Sequence, residues 1–201
     1  MKINVKTFSY RHPLFLTSSP LLEIPPPTAL LGLLASILGI GCNDVKENRK
    51  MIKKEIQDKL EKIEIYIPRN IKSKELGLMR FNVDVGKQKE NWFTPVTYTY
   101  LIDYVFYIKL FFKNVELMEK VKESIIKKES KFTPYLGSSE NLINEICIVD
   151  EKDLPKDFLF VKKLEDVEEI DKKRGLIRIK LPGRYNDDGE WEIEEYVILF
   201  P

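Results

Sequence analysis

At 201 residues, with 43% hydrophobic and 11% aromatic residues, the chain suits one large domain or two small ones built on an ordinary globular core. Two cysteines far apart, Cys42 and Cys147, and a single histidine exclude a disulfide framework and make a zinc site an unsupported expectation. The 33 basic and 32 acidic residues nearly cancel, yet residues 1–138 hold 23 basic against 15 acidic and residues 139–201 hold 10 against 17. The first part therefore suits an anionic ligand, nucleic acid first, unless the two parts mix in space and the asymmetry vanishes. Richness in Lys, Glu and Ile with only two Gln fits service at high temperature, though an AT-rich genome leaves the same bias.

The first element is a strand: "MKINVKTFSY" alternates Ile3, Val5 and Thr7 with Lys2, Asn4 and Lys6, the period of a half-buried strand. Arg11 to Ile24 reads as a loop. Three prolines, Pro25 to Pro27, then open into sixteen uncharged residues, Thr28 to Asn43. The run is too short to cross a membrane, for which about 18 apolar residues are needed. Lys2, Lys6 and Arg11 before it and Cys42 after it suggest a lipoprotein signal. Against that, the basic residues are spread over a strand, the run begins late, and Gly39 stands where such a site carries Leu. The globular reading explains more. Proline suits a first helical turn because its missing N–H would be unsatisfied there anyway, and Gly39 or Gly41 closes the helix in a left-handed cap. Gly32, Ser36 and Gly39 form a small-residue stripe for close packing on a sheet or another subunit; Leu30, Leu31, Leu34, Ile37 and Leu38 cover the other faces. A helix apolar all round is a buried one.

Asn43 or Asp44 caps a second, amphipathic helix extending to about Lys62, with Val45, Ile52, Ile56, Leu60 and Ile63 on one face. "IEIYIP" is a strand ended by Pro68. Within 69–95, "ELGLMRFNVDV" reads as a strand and "GKQKENWFTP" as a loop or hairpin tip. "TYTYLIDYVFYIKLFF" is a long central strand, "NVELMEKVKESIIKKES" a helix capped by Asn114, and "LINEICIV" a strand with Cys147 as a buried small hydrophobe. Strand, helix, strand, strand, helix, strand is the βαββαβ order of ferredoxin-like α+β folds, here with one added helix and one insertion. "FLFVKK" follows, and then "GLIRIKL" and "EIEEYVILF" flank a turn segment with Pro182, Gly183, Asp188 and Gly189, a hairpin in a small antiparallel sheet.

Three places suit a nucleic acid. The insertion carries Arg69, Lys72, Lys74, Arg80, Lys87 and Lys89, followed by Trp92 and Phe93; cations hold a single strand's backbone while aromatic faces take its bases. A solvated loop with Trp92 folded onto the core weighs equally on composition. In "TPYLGSSENL", Gly137 permits close backbone approach and Ser138 with nearby N–H groups suits a phosphate, where an ordinary capped turn is the plainer reading. His12, beside Arg11, is near neutral at pH 7 and suits a phosphate or base. No phosphate-cradling glycine loop or protease signature is present.

"IPPPTALLGLLASILG", "YLIDYVFYIKLFF" and "PYLGSSENL", in that order, resemble the signature stretches of the Cas-five family, a CRISPR-associated family of the RAMP superfamily. The resemblance spans most of residues 1–142 and implies a ferredoxin-like, RRM-related RAMP domain over 1–150, a protruding thumb within 69–95, and a C-terminal β-sheet region over 151–201. It implies a cytoplasmic Cascade subunit that holds the 5′ handle of the crRNA. Its partners would be the crRNA and the Cascade backbone and large subunits, with no membrane, no small-molecule substrate and no cofactor. One branch of that family cuts repeat RNA without metal through a set in which lysine and histidine are adjacent. This chain has no Lys-His dipeptide, so no catalytic residue is expected; the alternative is a metal-independent endoribonuclease that uses His12 with Arg11.

Overall fold

Residues 1–8, 24–82, 92–136, 142–154, 157–167 and 177–200 are described by the computed structural model, apart from the side chains of 74–82 and 92–99. In chain order they form β1 (Lys2–Phe8), α1 (Pro27–Leu38), α2 (Val45–Glu55), β2 (Leu60–Pro68), β3 (Ser73–Asn82), β4 (Trp92–Phe112), α3 (Val115–Lys127), β5 (Ile143–Cys147), β6 (Phe158–Lys163), β7 (Ile177–Tyr185) and β8 (Trp191–Leu199). The strands make one antiparallel sheet in the order β5-β1-β4-β2-β6-β8-β7, with β3 paired to β4 away from this path. The order of elements from β1 to β5 is the one the sequence suggests, with α2 and β3 as the additions.

The core explains why α1 is apolar on nearly every side. Leu30, Leu33 and Ile37 join a cluster with Val5, Phe106, Ile108 and Ile65 of the sheet. Leu31, Leu34 and Ala35 join a second cluster with Ile52 and Ile56 near α2 and with Leu117, Val121 and Ile125 of α3. The helix is wedged between the sheet and its two sister helices. Burying a side chain such as Leu34, which is fully enclosed, stabilises by about 1.5–3 kcal/mol. Pro27 occupies the first helical position, and Gly39 ends the helix at φ 74° with its N–H bonded to Ala35 O. The orphan carbonyls of the last turn are taken from outside: Phe132 N donates to Ser36 O and Lys131 N to Ile37 O. A Cβ on Gly39 would lie 2.6 Å from Lys131 Cγ, so glycine serves both the backbone angle and the crossing chain.

The remaining caps are local. Asp44 accepts from Glu47 N at the start of α2, and Asn114 accepts from Leu117 N at the start of α3. The C-terminal strands extend the main sheet: β6 pairs with β2 (Ile65↔Val161), and β8 pairs with β6 (Val161↔Ile198).

Several expectations are corrected. The second helix stops at Glu55, and after a short 3₁₀ turn at Gln57–Lys59 Leu60 already belongs to β2; the β-branched run Ile63, Ile65, Ile67 prefers a pleated surface and takes over early. Val45 is 61% exposed and lies off the buried face. Of the two glycines in the small-residue stripe, Gly39 makes a close approach, whereas among the described residues nothing lies within 4 Å of a Cβ placed on Gly32. Trp92 to Pro95 are strand, not loop. Pro182 and Gly183 lie within β7, at a register shift between Pro182 and Arg184, where a missing N–H disturbs the ladder least. Cys147 is half-buried on the edge strand β5.

Candidate nucleic-acid interface

The register of β4 creates the feature nearest the expected insertion. Its 21 residues are shared among three partners. Leu101 to Tyr107 face β1, Tyr107 to Phe112 face β2, and Trp92 to Leu101 face β3. Among the described strands, the Trp92–Tyr100 part is paired with β3 alone, so β3 and β4 leave the sheet as a two-stranded ribbon. Nine strand residues span about 30 Å at 3.3–3.4 Å each. Its register sets Lys74 opposite Tyr100, Arg80 opposite Thr94, Phe81 opposite Phe93 and Asn82 opposite Trp92.

The joint is built of polar residues. Arg69 and Lys72 are exposed on the short link between β2 and β3. Lys72 O accepts from Ile102 N at 2.9 Å, which ties the link to β4. One residue on, Asp103 has φ 49°. Aspartate is among the few side chains that tolerate the left-handed region, and such a residue inside a strand bends it and adds twist. The ribbon thus departs where the backbone turns.

The structure brings the expected site residues together only in part. Lys74, Arg80, Trp92 and Phe93 lie on the ribbon backbone, and Arg69 and Lys72 stand at its base. Arg11, His12, Lys87, Lys89, Gly137 and Ser138 lie outside the described residues.

The charge asymmetry of the sequence is partly cancelled in space. Lys2 pairs with Glu145, Lys46 with Glu190, Lys53 with Asp187 and Lys109 with Glu151. On the helices, Lys50, Lys59, Lys120, Lys122 and Lys127 pair with glutamates three or four positions earlier. Arg69 and Lys72 at the ribbon base and Lys128 and Lys131 after α3 form no ion pair with a described residue, and neither do Lys6, Lys54, Lys113 and Arg178 elsewhere on the fold.

Acid/base machinery is not what the buried carboxylate offers. Glu64 is 6% exposed and accepts from Lys62 Nζ at 3.1 Å and Tyr66 Oη at 3.2 Å, with Lys162 Nζ 3.5 Å away. Burial works to raise its carboxyl, but the hydrogen bond from Lys62 and the charges of Lys162 and Lys62 outweigh it and hold the group below the usual range. Burial, and then the Glu64 charge, push the Tyr66 phenol far up. Both groups keep their protonation state at neutral pH, and the cluster ties β2 to β6. Among the described residues no group of three or more His, Cys, Asp or Glu side chains is placed to hold a metal ion.

Sequence reasoning missed a groove of about 660 Å³ beside α1. It is lined by Gly32 and Ser36 of α1, Gly41 between the helices, Asn48 and Arg49 of α2, Phe132 and Tyr135 after α3, and Trp191 of β8. The Arg49 guanidinium lies 4.6 Å from the Trp191 ring centre and donates to Gly189 O at 3.5 Å. Asn48 Oδ1 is buried with no hydrogen-bond partner among the described residues. Phe132, Tyr135 and Trp191 remain 51%, 48% and 41% exposed. No sequence signal joins residues so far apart in the chain; the Gly32–Ser36 spacing hinted only at a smooth helix face.

Among the described residues no helix is long and apolar enough to cross a membrane. Residues 1–192 match a family model described as CRISPR-associated protein (Cas_Cas5). No curated protein matches. Two solved structures are similar in fold. One, titled "CRISPR RNA-guided surveillance complex", shares 12% identity over 98% of this chain and 87% of its own, with a TM-score of 0.58. The other, titled "Crystal structure of Cas protein", shares 15% identity over 98% and 93%, with a TM-score of 0.52.

Proposed function

Because the chain belongs to the CRISPR-associated Cas5 family, we propose that it is a crRNA-binding subunit of a type I Cascade interference complex, holding the 5′ handle without cutting it. The order β5-β1-β4-β2, with α1 and α3 as the crossing helices, supports a ferredoxin-like, RRM-related core. The similarity in fold to a chain of an RNA-guided surveillance complex agrees with backbone and large Cascade subunits as partners in the cytoplasm. The observation that carries the reading is the β3–β4 ribbon: it leaves the sheet beside the exposed Arg69 and Lys72 and bears Lys74, Arg80, Trp92 and Phe93 along its backbone. That is the thumb of the proposal. Arg11, His12, Lys87, Lys89, Gly137 and Ser138 complete the proposed RNA surface. The chain's one histidine, with no lysine beside it, leaves general acid/base cleavage without its usual partners.

The test is handle-RNA affinity across a salt series. Each phosphate neutralised on a single strand contributes about −0.7 to the slope of log K against log salt, so three or four contacts give about −2 to −3. A Lys87/Lys89 double alanine variant flattens the slope by up to about 1.4. Trp92→Ala weakens binding by about 1–3 kcal/mol with the slope unchanged. Identical slopes and affinities for all three proteins would remove the ribbon from the RNA surface. Repeat RNA stays intact in EDTA over hours; cleavage abolished by His12→Ala would instead make the protein the metal-independent endoribonuclease.

A further inference from the structure

We propose that bound RNA lies along one face of the β3–β4 ribbon, the row of Lys74, Arg80, Trp92, Tyr98 and Tyr100, and that Asp103 is the positioning residue that turns this row away from the core; this rests on the RNA-binding reading of the ribbon above. Along a regular strand, residues two apart share a face and residues three apart stand on opposite faces. On β4, Tyr104 and Phe106 belong to the main core cluster, and so does Leu101, although it is three positions from Tyr104. On β1, Ile3 and Val5 belong to that cluster, and so does Phe8, three positions from Val5. Phe8, Leu101 and Phe106 are fully buried and Tyr104 is 2% exposed. Both strands therefore change phase, and the pairing shows where. Val5 pairs with Tyr104 and Thr7 with Ile102, and the ladder passes over Lys6 and Asp103 between them. Asp103 has φ 49°, an angle that aspartate, asparagine and glycine take far more readily than a branched side chain does.

A change of phase by one residue exchanges the two faces of everything beyond it. With Leu101 turned to the core, Tyr100 falls on the side away from it, and the register carries that choice along the ribbon. Residues directly opposite on paired strands share a face. Lys74↔Tyr100, Leu76↔Tyr98, Arg80↔Thr94 and Asn82↔Trp92 thus make one row, while Glu75↔Thr99 and Phe81↔Phe93 belong to the other. The first row holds both basic residues of β3 together with two tyrosines and a tryptophan; the second holds no basic residue and one carboxylate, Glu75. A single strand needs cations for its phosphates and ring faces for its bases on one surface, and only the first row supplies both. Trp92 and Phe93, neighbours in the chain, are thereby separated, and it is the row of Trp92 that meets RNA. Without the switch at Asp103 the row of Glu75 would stand in its place.

Binding of fluorescently labelled handle RNA to the full chain is measured by anisotropy, with a thermal melt of each variant to show that it is folded. Tyr98→Ala is expected to weaken binding by about five- to a hundredfold, the equivalent of one lost stack. Phe81→Ala, on the other row, is expected to change it by less than about twofold. Asp103→Asn keeps a residue that tolerates the left-handed region and is expected to bind within about twofold of the parent. Asp103→Val favours an extended strand and is expected to lose at least about fivefold; Asp103→Ala takes its place if the valine variant does not fold. Equal losses for Tyr98→Ala and Phe81→Ala, or a loss confined to Phe81→Ala, would overturn the assignment of the row. Parent-like binding by Tyr98→Ala would overturn it too, and the Lys87/Lys89 variant in the salt series then decides separately whether the ribbon binds RNA. Parent-like binding by the folded valine or alanine variant would overturn the role of Asp103. So would a loss in Asp103→Asn equal to theirs, because the carboxylate and not the backbone angle would then matter. Failure of the parent chain to bind RNA would overturn both readings.

Discussion

Two antiparallel hairpins of this fold are hardly distinguished by their local pairing. β3 and β4 pair from Ser73↔Leu101 to Asn82↔Trp92, and β7 and β8 pair from Ile177↔Ile198 to Tyr185↔Trp191. The difference lies in what reaches across to them. The C-terminal hairpin is fastened to the helical layer: Gln57 Nε2 donates to Tyr185 O at 2.9 Å while Gln57 Oε1 accepts from Tyr185 N at 2.8 Å. Thr28 Oγ1 donates to Pro182 O, and the tip at Gly189 passes so close to Lys46 O that a Cβ there would lie 2.6 Å away. At the base of the ribbon Ile102 N donates to Lys72 O. A two-stranded hairpin is marginal by itself and draws its order from what it touches; the C-terminal hairpin is therefore part of the core.

The strongest way to break this comparison is to cut into the docked hairpin. Leu181 is fully buried in the main cluster, so Leu181→Ala is expected to cost about 2–5 kcal/mol and to lower the melting temperature by many degrees. A change near zero would mean the hairpin is a passenger.

A second test concerns the seam through which the hairpin joins the sheet. Because the Glu64 carboxyl is held below its ordinary range, its contribution is fully present above the unfolded value, near pH 4.3, and is lost as pH falls through the folded value. Glu64→Gln is expected to be less stable than the parent by about 1 kcal/mol at pH 7, with the gap closing below about pH 4. Denaturant melts at both pH values measure it; a gap independent of pH would show that shape, not charge, holds the seam.

The smallest expected effect falls on the ribbon. If Lys74 and Arg80 serve RNA and not the fold, as proposed, Lys74→Ala with Arg80→Ala changes stability by no more than about 0.5 kcal/mol. A large loss on melting would make the ribbon a structural element and end the contrast.

How much of this was legible in the sequence follows the range of the interactions. The ends of α1 could be read because Pro27 and Gly39 act on their own backbone, and α3 because Asn114 caps a residue three positions on. The β-rich run "TYTYLIDYVFYIKLFF" marked a central strand, but its division among three partners depends on registers that no local pattern encodes. The β2–β6 pairing joins Ile65 to Val161, and periodicity is blind at that separation. Val45 misled because an apolar residue in the first turn of an amphipathic helix can face solvent at little cost. The groove was invisible for a further reason: Asn48, Phe132 and Trp191 each read alone as an unremarkable surface residue, and only the fold gathers them.

The ties between α1 and the C-terminal hairpin bear on how the chain is made. Thr28 and Pro182 are 154 positions apart, and Gln57 and Tyr185 are 128 apart. Translation proceeds at about 5–20 residues per second, so the most apolar helix of the protein leaves the ribosome roughly 8–30 seconds before the strand that closes over its first turn. During that interval Pro27, Thr28 and Leu31 have no β7 to lie against. The first turn of that helix stays uncovered until residue 185 has emerged, and slowing translation late in the message lengthens that exposure.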